Sequence, residues 1–231
     1  MPKAGGFTLT STPSQALPSA HEEKSHPFLE LAVQRSPNNP PAAWLWRDPA
    51  SILKSTLRVR VGGSFTWPPH GWSTQQAAEI KHVVFVSGGV GINPLISMLS
   101  SIFKDEMVHK PKKISFLYST KLPSSGSGDN ILFLPRLLKL AEQHPKRIDL
   151  TLFLTNLAAG TKLKNPKSLG WYHDRRIDEA DLTAALGDDT ASRRETVVYV
   201  CGPPKMTDDL VAWFSHQSGM DPSRVLCEKW W

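Results

Sequence analysis

From residue 79 onward, short runs rich in β-branched residues alternate with amphipathic stretches, and this alternation constrains the fold more than any other feature of the chain. Residues 83–87 form a buried-type strand that runs straight into Gly88 and Gly89. Residues 93–104 then carry Leu95, Met98, Leu99, Ile102 and Phe103 at helical spacing. Residues 114–118 read as the next strand, 132–141 as the next amphipathic helix and 148–154 as a third strand. Residues 178–186 read as a helix that Gly187 stops. Residues 197–201 form a fourth strand, 204–218 a helix with proline in its first turn, and 225–227 a short last strand. Strands this apolar are buried on both faces, which calls for a parallel sheet with helices packed on either side. The expectation for residues 79–231 is therefore α/β: a Rossmann-like, parallel five-stranded sheet with helices on both faces.

Residues 1–78 have a different character. Segments 7–11, 28–33 and 57–61 read as short strands, and prolines from Pro13 to Pro69 punctuate the loops between them. This predicts a small all-β unit, with residues 68–79 as the linker. A hydrophobic content of 40% against 21% charged residues is that of a globular chain. No apolar run approaches the ~18 residues of a membrane-spanning helix, so no transmembrane segment is expected. Cys201 and Cys227 are the only cysteines, too few for a disulfide framework, and no Cys/His cluster has metal-ligand spacing. That usage points to a reducing intracellular compartment, mitochondrion or cytoplasm. Neither a signal peptide nor an Arg-rich transit helix is visible at the N-terminus. The net charge of +6 is scattered and lacks interleaved aromatic residues, so a nucleic-acid partner is not expected.

Three features carry candidate chemistry. The first is Gly88-Gly89-Val90-Gly91-Ile92-Asn93-Pro94 at the end of one strand and the start of a helix. Glycines let backbone approach a phosphate, and a helix start aims N–H groups and a positive dipole end at it. Its pattern is Gly-x-Gly-x-x-Pro, and tight packing alone is an alternative reason for such a turn. The second is Cys201-Gly202-Pro203-Pro204-Lys205-Met206, again at a strand end that opens a helix. Two such turns are what a ligand crevice at a topological switch point needs. The third is the ending Glu228-Lys229-Trp230-Trp231, either a tail that plugs its own core or an aromatic lid over a planar ligand.

In this order and at roughly this spacing, the three motifs resemble those of the ferredoxin–NADP reductase superfamily, over residues 5–231 and most strongly from residue 80. The resemblance implies that Gly88, Gly89, Val90, Gly91, Ile92 and Asn93 hold the pyrophosphate of NAD or NADP. It sets Cys201, Gly202 and Pro203 beside the nicotinamide, with Met206 in the helix that follows. Glu228 would serve the proton and hydride step, and Trp230 would stack on a flavin ring, making Cys201, Glu228 and Trp230 the catalytic candidates. Lys121 lies where such proteins choose between NAD and NADP; it either pairs with a 2′-phosphate or is a solvated lysine.

The resemblance also implies FAD, on a worn site. The flavin strand pattern Arg-x-Tyr-Ser-x-x-Ser is Gly5-Gly6-Phe7-Thr8-Leu9-Thr10-Ser11 here, so Phe7, Thr8 and Ser11 remain as ring-stacking and hydroxyl candidates while the phosphate-neutralising arginine is glycine. The second pattern, Gly-x-x-Ser-x-Trp-Leu, is Asn39-Pro40-Pro41-Ala42-Ala43-Trp44-Leu45, without its glycine and serine. The flavin strand normally follows several others, so residues 1–78 are expected to form a partial antiparallel FAD-binding β-barrel, and 79–231 the NAD(P)-binding domain. Two functions follow from the resemblance. One is a flavin-dependent NAD(P)H oxidoreductase that passes electrons to an acceptor, a redox protein being one class of it. The other is a non-enzymatic NAD(P)-binding module without flavin: a sensor, an assembly partner or a fragment.

Overall fold

A computed structural model describes residues 4–18, 26–104, 109–157 and 172–229. Its strands are β1 (His82–Gly88), β2 (Lys113–Thr120), β3 (Ile148–Leu154), β4 (Tyr172–His173), β5 (Thr196–Gly202) and β6 (Val225–Lys229). Its α-helices are α1 (Pro40–Leu45), α2 (Pro49–Ile52), α3 (Thr74–Ala78), α4 (Ile92–Lys104), α5 (Leu134–Gln143), α6 (Glu179–Leu186) and α7 (Pro204–Ser215). The strands form one sheet in the order β4-β3-β2-β1-β5-β6, and every pairing is parallel. The expected five strands are present, and β4 adds a sixth at the edge beside β3. A strand of two residues is too short for hydrophobic alternation to reveal.

Alternation sorts the sheet residues into two cores. Val83, Phe85, Ile114, Phe116, Val197 and Tyr199 face one side with Leu95 and Leu99 of α4 and Leu134 and Leu137 of α5. Val84, Val86, Leu117, Val198 and Val200 face the other with Leu182 of α6 and Leu210 and Phe214 of α7. All seven residues of β1 and of β5 are buried, as the central strands of a doubly covered sheet must be. α6 starts on an Asp178 cap that accepts from the Asp181 amide and stops at Gly187, as its sequence predicts.

Residues 4–78 show little regular β-structure. The segments read as strands at 7–11 and 28–33 make a single antiparallel bridge, Leu9 to Leu31, and 57–61 has no regular structure. A strand exists only in a ladder, and residues 57–61 have no ladder partner among the described residues. The segment expected as a linker, residues 68–79, packs against the sheet together with the residues just before it. Trp67 and Pro69 are buried, Phe65 and Trp72 pack against the α4-side core, and 74–78 is a helix capped by Ser73. The Tyr199 hydroxyl of β5 donates to the Thr66 carbonyl at 2.8 Å, fastening this strip to the sheet.

At the amino-terminal end of β1, His82 Nε2 lies 3.0 Å from Ser115 Oγ, and burial followed by Lys113 lowers its pKa from 6.5 to about 4. Its folded-state affinity for a proton is thus weaker than in the unfolded chain. Stability should therefore fall as pH drops from 6.5 towards about 4, where the unfolded state takes up the proton first. A His82→Gln variant followed by thermal melts across that window should show a shallower loss; an identical slope would assign the acid sensitivity elsewhere.

Candidate dinucleotide site

Strand order reverses between β1 and β5: the chain steps from β1 outward through β2, β3 and β4, then returns to β5 on the opposite side of β1. Loops leaving the carboxyl ends of two such strands diverge and leave a crevice. Here those loops are the turn after β1 (residues 89–91, a single 3-10 turn continuous with α4) and the β5–α7 junction at Gly202-Pro203.

The glycines of the two turns have different tasks. A Cβ on Gly91 would lie 2.1 Å from the Cys201 carbonyl oxygen and 2.8 Å from the Gly202 nitrogen, so turn and strand meet backbone to backbone. A Cβ on Gly88 would meet Met206 Sδ at 2.7 Å and Pro203 Cδ at 2.8 Å. One on Gly202 would lie 3.2 Å from Gly88 Cα. Gly89 alone of the four has a positive φ, 54°, and open space beside it. Tight packing thus explains Gly88, Gly91 and Gly202, while Gly89 presents bare backbone to the crevice at a helix start. Val90 is half-buried beside it, and Ile92 is fully buried in the core. Asn93 is buried, and its Nδ2 donates to the Ala32 carbonyl at 2.8 Å, so this side chain holds the N-terminal segment.

That segment docks along α4 and α5. Ser97 Oγ donates to the Ser11 carbonyl at 2.7 Å, and Arg136 of α5 donates to Glu30 Oε2 at 3.1 Å. Ser11 Oγ, a hydroxyl candidate by sequence, is buried and accepts from the Glu30 amide at 3.0 Å. Thr8 reaches further and donates from Oγ1 to Glu228 Oε2 at 3.4 Å, joining two sequence candidates 220 residues apart. Burial raises the Glu228 pKa above the usual carboxylate value, and the Thr8 hydrogen bond opposes that shift in part. The neighbouring Lys229 pairs with Asp208, which ties the end of β6 to α7.

Register places Glu228 of β6, Cys201 of β5, Ser87 of β1 and Tyr118 of β2 in one row across the crevice end of the sheet. Cys201 and Tyr118 are fully buried in the α4-side core. Cys201 is thus a core residue under the glycine turn and not an exposed lip. Ser87 was not a sequence candidate; it is fully buried, and its Oγ has no hydrogen-bond partner among the described residues. Only its place directly before Gly88 could have flagged it. Met206 is half-buried and Pro203 exposed at the start of α7. Lys121 is exposed just beyond β2, two strands from Cys201. Phe7 is half-buried with its ring folded against Gly5. Trp230 lies outside the described residues.

A parallel sheet with glycine turns at its switch point defines a dinucleotide-type α/β domain, and residues 85–211 match the family model of the oxidoreductase NAD-binding domain. The chain belongs to that family. It is 32% identical over 237 residues to oxidoreductase NAD-binding domain-containing protein 1 of Homo sapiens, covering 98% of this chain and 65% of that protein. The chain therefore spans just under two thirds of the length of this curated relative. In fold it is similar to the CS-b5R domains of human Ncb5or in the NAD+ form, with a TM-score of 0.63 at 15% identity over 98% of this chain and 57% of that one. It is also similar to the cytochrome P450 reductase GcoB of Amycolatopsis, with a TM-score of 0.60 at 20% identity over 99% and 57%. The likeness to these two solved structures is one of fold, and the family match makes it the fold of an NAD-binding oxidoreductase domain.

Proposed function

We propose that the chain holds NAD or NADP across the carboxyl ends of β1 and β5 and acts as the hydride-donor domain of an NAD(P)H oxidoreductase. The observation that carries this reading is the backbone contact of the two glycine turns at the switch point, with Gly89 open above the start of α4. In this reading Gly89 and the first turn of α4 receive the pyrophosphate. Gly202, Pro203 and Met206 bound the nicotinamide, and Cys201 underlies it from the core. Glu228, with a raised pKa and Thr8 as partner, holds or releases a proton where the reacting ring would lie. Lys121 is set to select NADP. Lys121→Ala should then weaken NADPH binding about threefold and spare NADH; equal affinities for both would make it a solvated lysine.

The resemblance implies FAD as the hydride acceptor, which supplies two-electron chemistry when bound. The residues suit one half of that group only. Thr8 and Glu228, hydrogen-bonded to each other, would offer a hydroxyl and a carboxyl to a ring, and Phe7 would stack on it only by swinging away from Gly5. For the diphosphate half the start of α1 offers no free donor among the described residues: α1 begins Pro40-Pro41, which lack N–H groups, and the Ala42 amide is taken by Asn39 Oδ1. Where the arginine would stand, a side chain on Gly5 would meet Pro41 Cβ at 2.6 Å. The described residues therefore do not fit a firmly held FAD, and no step is drawn through one. This same observation favours a second reading, a dinucleotide-binding module without flavin.

Visible absorption of the purified chain, before and after adding FAD, separates the two. A flavin spectrum bleached anaerobically by NADH or NADPH would support the oxidoreductase with its own flavin. Bound NAD(P)H with no flavin uptake would leave the module.

A further inference from the structure

The starts of β2 and β3 and the last turn of α4 form a basic pole at the end of the sheet opposite the glycine turns. Lys104 closes α4, Lys110, Lys112 and Lys113 lead into β2, and Lys146 and Arg147 lead into β3. Register brings these segments together: Ile114 pairs with Ile148, and the Ile114 amide donates to the Arg147 carbonyl at 2.7 Å. Arg147 Nη2 donates to the Pro111 carbonyl at 2.6 Å, and its guanidinium lies 4.8 Å from the centre of the Phe103 ring, beside Lys104. The five lysines are exposed, and none of the six cations forms an ion pair among the described residues. Lys81, Arg136, Arg175, Lys205 and Lys229, by contrast, are each matched by a carboxylate. The six stand against Asp149 of β3 and against Asp105 and Glu106, which lie outside the described residues; Lys139 and Glu142 of α5 offset each other. The field of the pole reaches two histidines. The His144 pKa is lowered by burial and then by Arg147 and Lys110, and that of His82 by burial and then by Lys113.

Three features of the pole select among anionic partners. Lysine heads are compact, strongly hydrated charges on flexible stems, suited to diffuse attraction and poor at fixed bidentate contacts. No strongly exposed large hydrophobic side chain lies there among the described residues, so the apolar centre of a protein interface is missing. The Phe103 ring already carries His144, with centroids 4.1 Å apart, and Arg147, so it is covered and offers no platform for a nucleic-acid base. We infer that this pole is a peripheral docking surface for a bilayer that bears anionic headgroups. A cluster of this size is enough for such docking, each cation near the surface raising affinity about fivefold. Docked this way, the chain turns its glycine crevice away from the bilayer. The N-terminal segment stays clear of the contact, since it holds Asn93 and Ser97 in the first half of α4 and Arg136 in the first turn of α5.

The test sediments the full chain with vesicles of phosphatidylcholine alone or of equal parts phosphatidylcholine and phosphatidylserine. Binding should require phosphatidylserine and fade as salt rises. The triple variant Lys110→Ala/Lys112→Ala/Lys146→Ala should bind about a hundredfold more weakly. Lys54→Ala/Arg58→Ala/Arg60→Ala removes the same charge from exposed positions elsewhere and should stay within about twofold of the parent. The phosphatidylserine vesicles should also slow amide exchange at residues 110–113 and 144–147 and leave 88–93 unchanged. Equal sedimentation with both vesicle types, none with either, or equal losses in the two triple variants would overturn the inference. So would tighter binding of a single-stranded RNA at the same salt, since the occupant would then be a nucleic acid.

Discussion

Gly91→Ala should destabilise the chain by about 3 kcal/mol, lowering its melting temperature by roughly 6–12 °C, and abolish saturable NAD(P)H binding. The new Cβ would stand 2.1 Å from the Cys201 carbonyl oxygen and 2.5 Å from its carbon. Both are backbone atoms of a central, fully buried strand, so the strand cannot yield. The turn must lift from β5, carrying the start of α4 with it and opening the crevice. Gly89→Ala is the matched control. It places a Cβ in open space at a φ of 54°, a strained backbone state for alanine that costs about 1 kcal/mol but leaves the turn seated. Denaturant melts and NADH titrations of the two variants read both effects. If Gly91→Ala lowers stability no more than Gly89→Ala does, the close contact of the two turns is not what shapes the site.

Trp67→Ala should cost about 3–5 kcal/mol, the range for deleting a buried aromatic side chain, although it directly precedes the segment 68–79 that the sequence presents as a linker. Trp67 is 9% exposed and donates from Nε1 to the His109 carbonyl at 3.2 Å. Its ring meets Tyr199 edge-on with centroids 6.2 Å apart, and Tyr199 continues the aromatic contacts to Phe85 at 5.6 Å and Phe116 beyond. Removing the indole would leave a cavity in the α4-side core beside Tyr199. It would also loosen Thr66 from the Tyr199 hydroxyl. A tether between independent domains would register almost no change. Denaturant unfolding followed by far-ultraviolet circular dichroism distinguishes the two, a loss under 1 kcal/mol favouring the tether.

The sheet was legible because its central strands are buried on both faces, and continuous runs such as 83–86 and 197–200 leave no other assignment. Helix limits at Gly187 and Pro204 followed from local chemistry that acts within a few residues. β4 was invisible because two residues carry no period. Residues 57–61 carry a strand pattern but form no strand among the described residues, because pairing depends on a partner that local sequence does not encode. At the site, motifs located Gly88–Asn93, Cys201, Gly202 and Glu228 at one end of the sheet. They could not show that Asn93 and Ser11 hold the N-terminal segment to α4 and Glu30, that Arg136 reaches Glu30, or that Ser87 is a buried hydroxyl with no partner among the described residues. Those are long-range contacts, set by docking and not by spacing.

The central claim is that a nicotinamide dinucleotide lies over Gly89 between the ends of β1 and β5. Amide hydrogen exchange of the full chain, with and without saturating NADH, tests it most directly. The account predicts slower exchange at residues 88–93 and 201–206 on adding NADH, with the amino-terminal ends of the strands unchanged. Saturable binding that protects some other surface, or no binding at all, would contradict it.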